Sequence, residues 1–528
     1  MKNRIKNIGF IIGLFSLLFA ACEDKIDPIV EDIQFERVFS PLELTAQIRN
    51  QLTAELNWQV KDDATSYVVE ISQDSLEFNS ILHTVEVTPD ELPVSILLEG
   101  DEQYSARVKG VSDVGVDDSK WSAIVFRTDP ENIFNALEGD KLGKTEVTLS
   151  WPAGSDVTHF IISTSGADDV RRDITEAEAA AGAATITGLT FDTNYSVVMY
   201  NEPNPKQRGN IDFTTLPEGE TLTPDMNLEE AINTTFATQD VFLLESGEYT
   251  AYTGKIVLNR PVKIKGLNPD DKPVVHIHFL LEDGVQDVEI ADLAMAGSFT
   301  DPETSEPVIL DNPFQFNTAG ADFGSLRVIG CDIHDYRKAL INGSSGAFTV
   351  AEVVVDNCLV TNILTDGSDG IDFRSSYLAE LRLTNSTFNN MSPGRDFVRL
   401  DDSSDSFPGR VSNVLIDQCT FYGVSNTKDR IVYVRFVDNT ITVTNTLFAE
   451  TTAYYTNQSR TSQPECSRNN YFNAPGFYTD GYNSGGLYDL SGNYTTEDPG
   501  FVDAASGDFT VTNQNLIDFS VGDPRWRN

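Results

Sequence analysis

The chain has 528 residues, 40% hydrophobic and 10% aromatic, enough to bury several cores, which excludes a disordered protein. Its 81 acidic against 37 basic side chains give a net charge of −44, which argues strongly against nucleic acid as a partner. The same acidity opposes a polyanionic ligand unless basic groups gather locally or a divalent cation bridges.

Residues 1–21 read as a signal peptide, with Lys2, Arg4 and Lys6 before an apolar run from Ile8 to Phe19. That run is too short to span a bilayer, and no later segment approaches ~18 apolar residues. Leu18-Phe19-Ala20-Ala21-Cys22 resembles the bacterial lipobox except at Phe19. The resemblance implies cleavage before Cys22, lipidation of its sulfur, and a membrane hold through lipid alone, with residues 22–38 as an acidic tether. Glu23-Asp24 resembles the export signal of Bacteroidota surface lipoproteins, which implies the cell-surface side of the outer membrane. Cys331, Cys358, Cys419 and Cys466 are too few for a disulfide scaffold. The first three fall at matching repeat positions, which predicts stacked buried thiols.

The expected fold class is all-β. Residues 39–129 alternate in short runs such as Ala54-Glu55-Leu56-Asn57-Trp58 and Ser66-Tyr67-Val68-Val69-Glu70-Ile71, and no long helical period intervenes. With the strand at Tyr104 and a closing Trp121-Ser122, this stretch resembles a fibronectin type III domain, a β-sandwich. Residues 130–217 repeat the plan: Val147-Thr148-Leu149-Ser150-Trp151 matches the first Trp strand, and Tyr195-Ser196-Val197-Val198 matches that at Tyr104. Two such units beside an anchor read as a spacer.

From residue 218 to 528 the pattern changes. A short helix is predicted at Leu228–Ile232, capped by Asn227 or Asp225, followed by very short strands. This opening resembles the pectate-lyase-like right-handed parallel β-helix. Internal repeats point the same way. Val328–Ile333, Val355–Val360, Leu383–Phe388, Ile416–Phe421 and Val443–Phe448 share a turn residue followed by Cys, Ser or Thr, and Arg468–Phe472 is a degenerate sixth. Their last residues are spaced by 27, 28, 33, 27 and 24 positions, a solenoid period, and the polar insert Asp401–Ser406 accounts for the longest. The Gly-, Tyr- and Asn-rich end is expected to cover the last rung. The ending, with Asp498-Pro499-Gly500-Phe501-Val502-Asp503 and Gly522-Asp523-Pro524-Arg525-Trp526, resembles that of a group of Bacteroidota lipoproteins often built as sandwich domains plus β-helix, which implies glycan uptake beside outer-membrane transporter components.

Three segments carry the candidate site: Ile371–Ser375, Phe397–Asp401 and Tyr433–Val437. Each sets an Arg between apolar or small residues, so Arg374, Arg399 and Arg435 are expected to point outward, one per rung, about 4.8 Å apart. The same alternation extends the column to Gln315 and Asn342, with Asp372, Phe397, Asp401 and Tyr433 as outward neighbours. Guanidinium groups recognise carboxylates bidentately, amides bond hydroxyls, and an aromatic face covers a sugar ring. The favoured ligand is therefore an acidic polysaccharide, pectin- or alginate-like; the alternative is an Arg–Asp ladder neutralising itself. Asp366, Asp369, Asp402 and Asp405 are candidate Ca2+ ligands by residue type.

A β-helix lyase would need a base, for which Arg395, Arg399 and Lys428 are the candidates, but the local motifs of such lyases are absent. Ser368-Asp369-Gly370-Ile371-Asp372 partly resembles the Asp-bearing motif of polygalacturonases, without its accompanying segments. His276 and His278 share a strand face and read as exposed. Binding, lyase chemistry and an adhesion or structural role all stay open at this point.

Overall fold

The computed structural model describes residues 36–527, apart from 114, 203–205, 302–303 and 403–404. The signal peptide, Cys22 and most of the tether lie outside the described residues. The protein is all-β: two fibronectin III-like sandwiches followed by a parallel β-helix.

In the first sandwich, Leu42–Arg49, Thr53–Gln59 and Val94–Leu97 form a three-stranded antiparallel sheet. It faces a four-stranded sheet ordered His83–Val87, Ser66–Ser72, Gln103–Val111, Ser122–Arg127. Alternation sends Leu56, Trp58, Tyr67, Val69, Ile71, Ala106 and Val108 into the shared core. The second sandwich pairs Glu146–Ser150 with Ala183–Thr187 and sets them against a four-stranded sheet, with Trp151 and Phe160 at its centre. One corner recurs in both: Tyr104 accepts a hydrogen bond from the Glu99 N–H at 3.2 Å, and Tyr195 from that of Thr190 at 2.9 Å. In each case the phenol bonds back five residues, which pins the crossover between sheets.

The β-helix opens at Glu220–Leu222. Asn227 caps the following helical turn by accepting from the Glu230 N–H at 3.0 Å, which satisfies one orphan donor. The chain then winds through three parallel sheets, one strand of each per rung. The first sheet has ten strands, from Glu220–Leu222 to Glu465–Ser467. Two-residue corners lead from it to the second sheet, which includes Asp332–His334, Leu359–Thr361, Thr387–Asn389, Thr420–Tyr422 and Leu447–Ala449. The third holds Phe314–Phe316, Ile341–Asn342, Ile371–Phe373, Val398–Leu400 and Val432–Val434. The strand Val274–Leu281 belongs to two sheets, pairing Ala294 and Met295 with its first half and Phe314–Phe316 with its second.

The repeat residues do the work expected of them at the first corner. Gly330, Asn357, Asn385, Gln418 and Asn445 all have left-handed backbone, with φ between 48° and 63°. Side-chain amides that bond locally tolerate that conformation, and glycine has no Cβ to oppose it. Asn385 and Asn445 donate to Asp356 and Asp417 one rung back, at 2.9 and 2.8 Å. Behind them Cys331, Cys358, Ser386, Cys419 and Thr446 stack inside, fully buried, with the thiols free.

Beyond Phe472 the end of the chain divides in two. Phe477 closes the last rung, its ring 4.3 Å from Phe448 and 5.5 Å from Tyr471, centroid to centroid. The tail beyond Asp498 instead runs back along the helix. Gly522 donates to the Asn445 carbonyl at 2.7 Å, Asp523 to Thr420 at 3.0 Å, Trp526 to Thr387 at 2.8 Å, and Arg525 to the Asn357 carbonyl at 2.7 Å. It thereby splints four successive rungs.

One histidine is expected to make the β-helix acid-sensitive. Burial pushes the His278 imidazole down from 6.5 to about 4, against the attraction of Asp311, and its Nε2 has no hydrogen-bond partner among the described residues. Native His278 stays neutral where the unfolded chain takes up a proton. Its contribution to stability is thus whole above about pH 6.5 and is lost as pH falls toward 4. Denaturation midpoints measured across that window should decline, and His278→Gln should flatten the decline. An unchanged pH profile in that variant would contradict this assignment.

Candidate functional site

The third sheet does not carry an arginine column. Its register pairs Gln315 with Asn342, Asn342 with Asp372, Asp372 with Arg399, and Arg399 with Tyr433. Arg374 and Arg435 sit two residues further along their rungs, beside Asp401. A two-residue slip preserves which face a side chain occupies, so alternation alone does not detect it.

The outward face is therefore a lattice three rungs high and three residues wide. Its rows are Asp369, Asp372, Arg374; Asp396, Arg399, Asp401; and Arg430, Tyr433, Arg435. Arg374 donates to Asp369 at 2.9 Å and through Nε to both oxygens of Asp372 at 2.9 and 3.0 Å. Arg399 bonds Asp401 at 2.9 Å and reaches Asp369 at 3.5 Å, and Arg435 bonds the other oxygen of Asp401 at 2.9 Å. Arg430 grips Asp396 with two bonds of 2.8 Å. From the rim, Arg395 reaches Asp369 at 3.3 Å. The guanidinium carbons of Arg399 and Arg430 lie 4.9 and 4.5 Å from the Tyr433 ring centroid.

The two signs occupy different depths. The carboxylate side chains of Asp369, Asp372, Asp396 and Asp401 are 1–3% exposed, those of the five arginines 24–37%. Burial raises the Asp369 carboxyl above its ordinary range, helped by Asp372 and Asp396 and opposed by Arg395 and Arg374. The Asp372 hydrogen bond raises Arg374 despite burial. For Arg399 and Arg430 burial pulls downward, and their bonds to Asp401 and Asp396 outweigh it, so both end above the ordinary value. A guanidinium held so firmly in its charged form is a poor proton acceptor and a good permanent cation.

Other sequence candidates fall elsewhere. Phe397 is fully buried, not outward: it precedes the strand, where the chain is still turning the corner, and its ring meets Phe388 and Phe421 edge-on. Lys428 stands in an exposed turn with its ammonium 4.8 Å from the Tyr482 ring centroid. The Ca2+ candidates do not converge. Asp369 is taken by arginines, Asp402 accepts the Ser406 and Phe407 N–H groups at 2.7 and 2.9 Å, and Asp366 and Asp405 are exposed in loops. Among the described residues no group of three or more His, Cys, Asp or Glu is arranged to hold a metal. His276 is buried, bonded to the Ala296 carbonyl at 2.9 Å and Glu248 at 3.1 Å, so the reading of exposed strand histidines does not hold.

Sequence reasoning missed Arg430 and counted Asp396 only among clustered carboxylates. Their signal was present: each stands two residues before its third-sheet strand, as Asp369 does, and that spacing defines the lattice's first column.

Two family models match the β-helix part of the chain. Residues 247–391 match a domain of unknown function (DUF4957) and residues 414–526 another (DUF5123). No curated protein matches. Among solved structures, the chain is similar to a two fibronectin type-III domain segment from chicken tenascin, with 14% identity over 33% of this chain and 97% of that one, TM-score 0.23. It is similar to the FN1-FN3 domains of chicken CNTN1, with 15% identity over 34% of this chain and 67% of that one, TM-score 0.15. It is also similar to the central fibronectin-III array of RIM-binding protein, with 18% identity over 36% and 65%, TM-score 0.14.

Proposed function

We propose that the protein is a lipid-anchored glycan-binding protein of the bacterial outer surface. In this reading the third sheet holds an acidic, pectin- or alginate-like polysaccharide and passes it to outer-membrane transporter components. The sandwiches hold the β-helix away from the membrane. The observation that carries this reading is the depth difference in the lattice. Solvent meets guanidinium groups from Arg374, Arg395, Arg399, Arg430 and Arg435, while the balancing carboxylates lie beneath. On a chain of net charge −44, this is where a polyanion gains local attraction. Asn342 and Gln315 continue the face with amides, and five rungs span roughly 19 Å, the scale of a short oligosaccharide. Binding is favoured over lyase chemistry because Arg399 is held charged.

The test is affinity electrophoresis in polygalacturonate and alginate gels, with ultraviolet absorbance followed for unsaturated product. Retention without product is expected, weakened about tenfold by Arg399→Ala, in keeping with one charge-assisted bond of ~1.5–3 kcal/mol. Retention should fall as salt rises and be indifferent to calcium or chelator, since the buried carboxylates already have cationic partners. Failure of every uronate polymer to retard the protein would sink the proposal; product formation abolished by Arg399→Ala would replace it with the lyase.

A further inference from the structure

A second groove lies on another face of the β-helix. Its floor is the second sheet, where His334, Thr361, Asn389 and Tyr422 stand on four successive rungs in direct register. Its far wall is the turn Ala504–Ser506 of the returning tail, seated by the Tyr422 ring against Phe501 and Phe509. The cavity between them is about 560 Å³, within the ~300–1,000 Å³ range of small-ligand sites.

The chemistry of this groove differs from that of the arginine lattice. Its two acids are engaged: Asp332 with Lys272 at 2.8 Å, and Asp335 with His334 at 2.8 Å and the Asn362 amide at 3.0 Å. Asn390 in turn donates to Asn362 at 2.7 Å, so the amides along the groove's edge are fixed in orientation. Thr361, Asn389 and Tyr422 line the cavity, and their side chains make no hydrogen bond among the described residues. An anion would meet two carboxylates and no unpaired cation here. A polyhydroxylated neutral ligand would find donors and acceptors on consecutive rungs about 4.8 Å apart.

We infer that this groove is a binding site for a neutral oligosaccharide of two or three sugar units, independent of the arginine lattice. The amide and hydroxyl column bonds the sugar hydroxyls, and the tail turn closes over them. Tail and solenoid both contribute, so a chain cut before Asp498 would lose the site.

The test is calorimetric titration of the full chain with neutral trisaccharides: cellotriose, xylotriose, mannotriose, galactotriose and arabinotriose. At least one should bind saturably, without dependence on salt. Asn389→Leu should weaken that binding about tenfold or more, because it buries the ligand's hydroxyls against an unbonding side chain. Ser506→Trp, an exposed change on the opposite wall, should block the groove and serves if Asn389→Leu fails to fold. Arg399→Ala should leave trisaccharide binding intact, which separates this site from the polyuronate face. The inference is overturned if no trisaccharide binds at about 10 mM, a limit near −3 kcal/mol, or if binding survives both groove variants.

Discussion

Replacing Asp401 with alanine is expected to cost about 3–5 kcal/mol of folding stability, among the largest effects a single change can have. Asp401 is 1% exposed and holds a guanidinium on each oxygen, Arg399 and Arg435, both at 2.9 Å. Its removal leaves Arg435 without its carboxylate and Arg399 with Asp369 alone, at 3.5 Å. Arg435→Leu should cost less, about 1–3 kcal/mol, because Asp401 keeps its bond to Arg399. The measurement is the shift in urea midpoint of the β-helix transition, followed separately from the sandwiches, since a multi-domain chain need not unfold in one step. The folded fraction of Asp401→Ala should hold polyuronate no less firmly than the parent, because the change removes only negative charge from beneath the binding face. A variant as stable as the parent would mean that solvent, not Asp401, neutralises the two arginines.

That contrast shows what the sequence could and could not disclose. The solenoid was legible because its corners make a local demand: Asn357, Asn385 and Asn445 take left-handed backbone, and a small residue must follow each to fit inside. Both requirements act on neighbours in the chain, so they repeat visibly. The site depends on neighbours between rungs. Period-two alternation assigns a face, and Gln315, Asn342 and Arg399 do stand in one column. Alternation cannot fix how far one rung slides past the next, so Arg374 and Arg435 were aligned two positions from their true partners. Depth was also invisible. Asp372 and Arg374 share a face, yet one is 1% exposed and the other 28%, because a long side chain snorkels over a short one. Whether charges form a ladder or a binding face turned on that depth. The lattice is neutralised below and cationic above.

Phe421→Ala is expected to cost a further comparably large amount, about 3–5 kcal/mol. Phe421 is fully buried at the middle of an interior aromatic stack, with ring centroids 5.0 Å from Phe388 and 4.8 Å from Phe448. In a solenoid each rung touches only the next, so a cavity here weakens two inter-rung contacts that nothing distant replaces. The consequence reaches the candidate site through Phe397, whose ring meets Phe421 edge-on at 5.1 Å. The Phe397 N–H donates to the Arg430 carbonyl at 2.9 Å and its carbonyl accepts from Ile371 at 2.8 Å, so this residue ties together the three rungs that carry the lattice. Loss of its packing should loosen the backbone that places Asp396 and Arg399. Polyuronate retention by Phe421→Ala should therefore drop even where circular dichroism reports a folded protein. Phe421→Leu, which fills most of the space, should recover both stability and retention in large part. If Phe421→Ala lowers stability yet retains polyuronate as the parent does, the lattice is held in place by its own ion pairs and not by the aromatic stack beneath it.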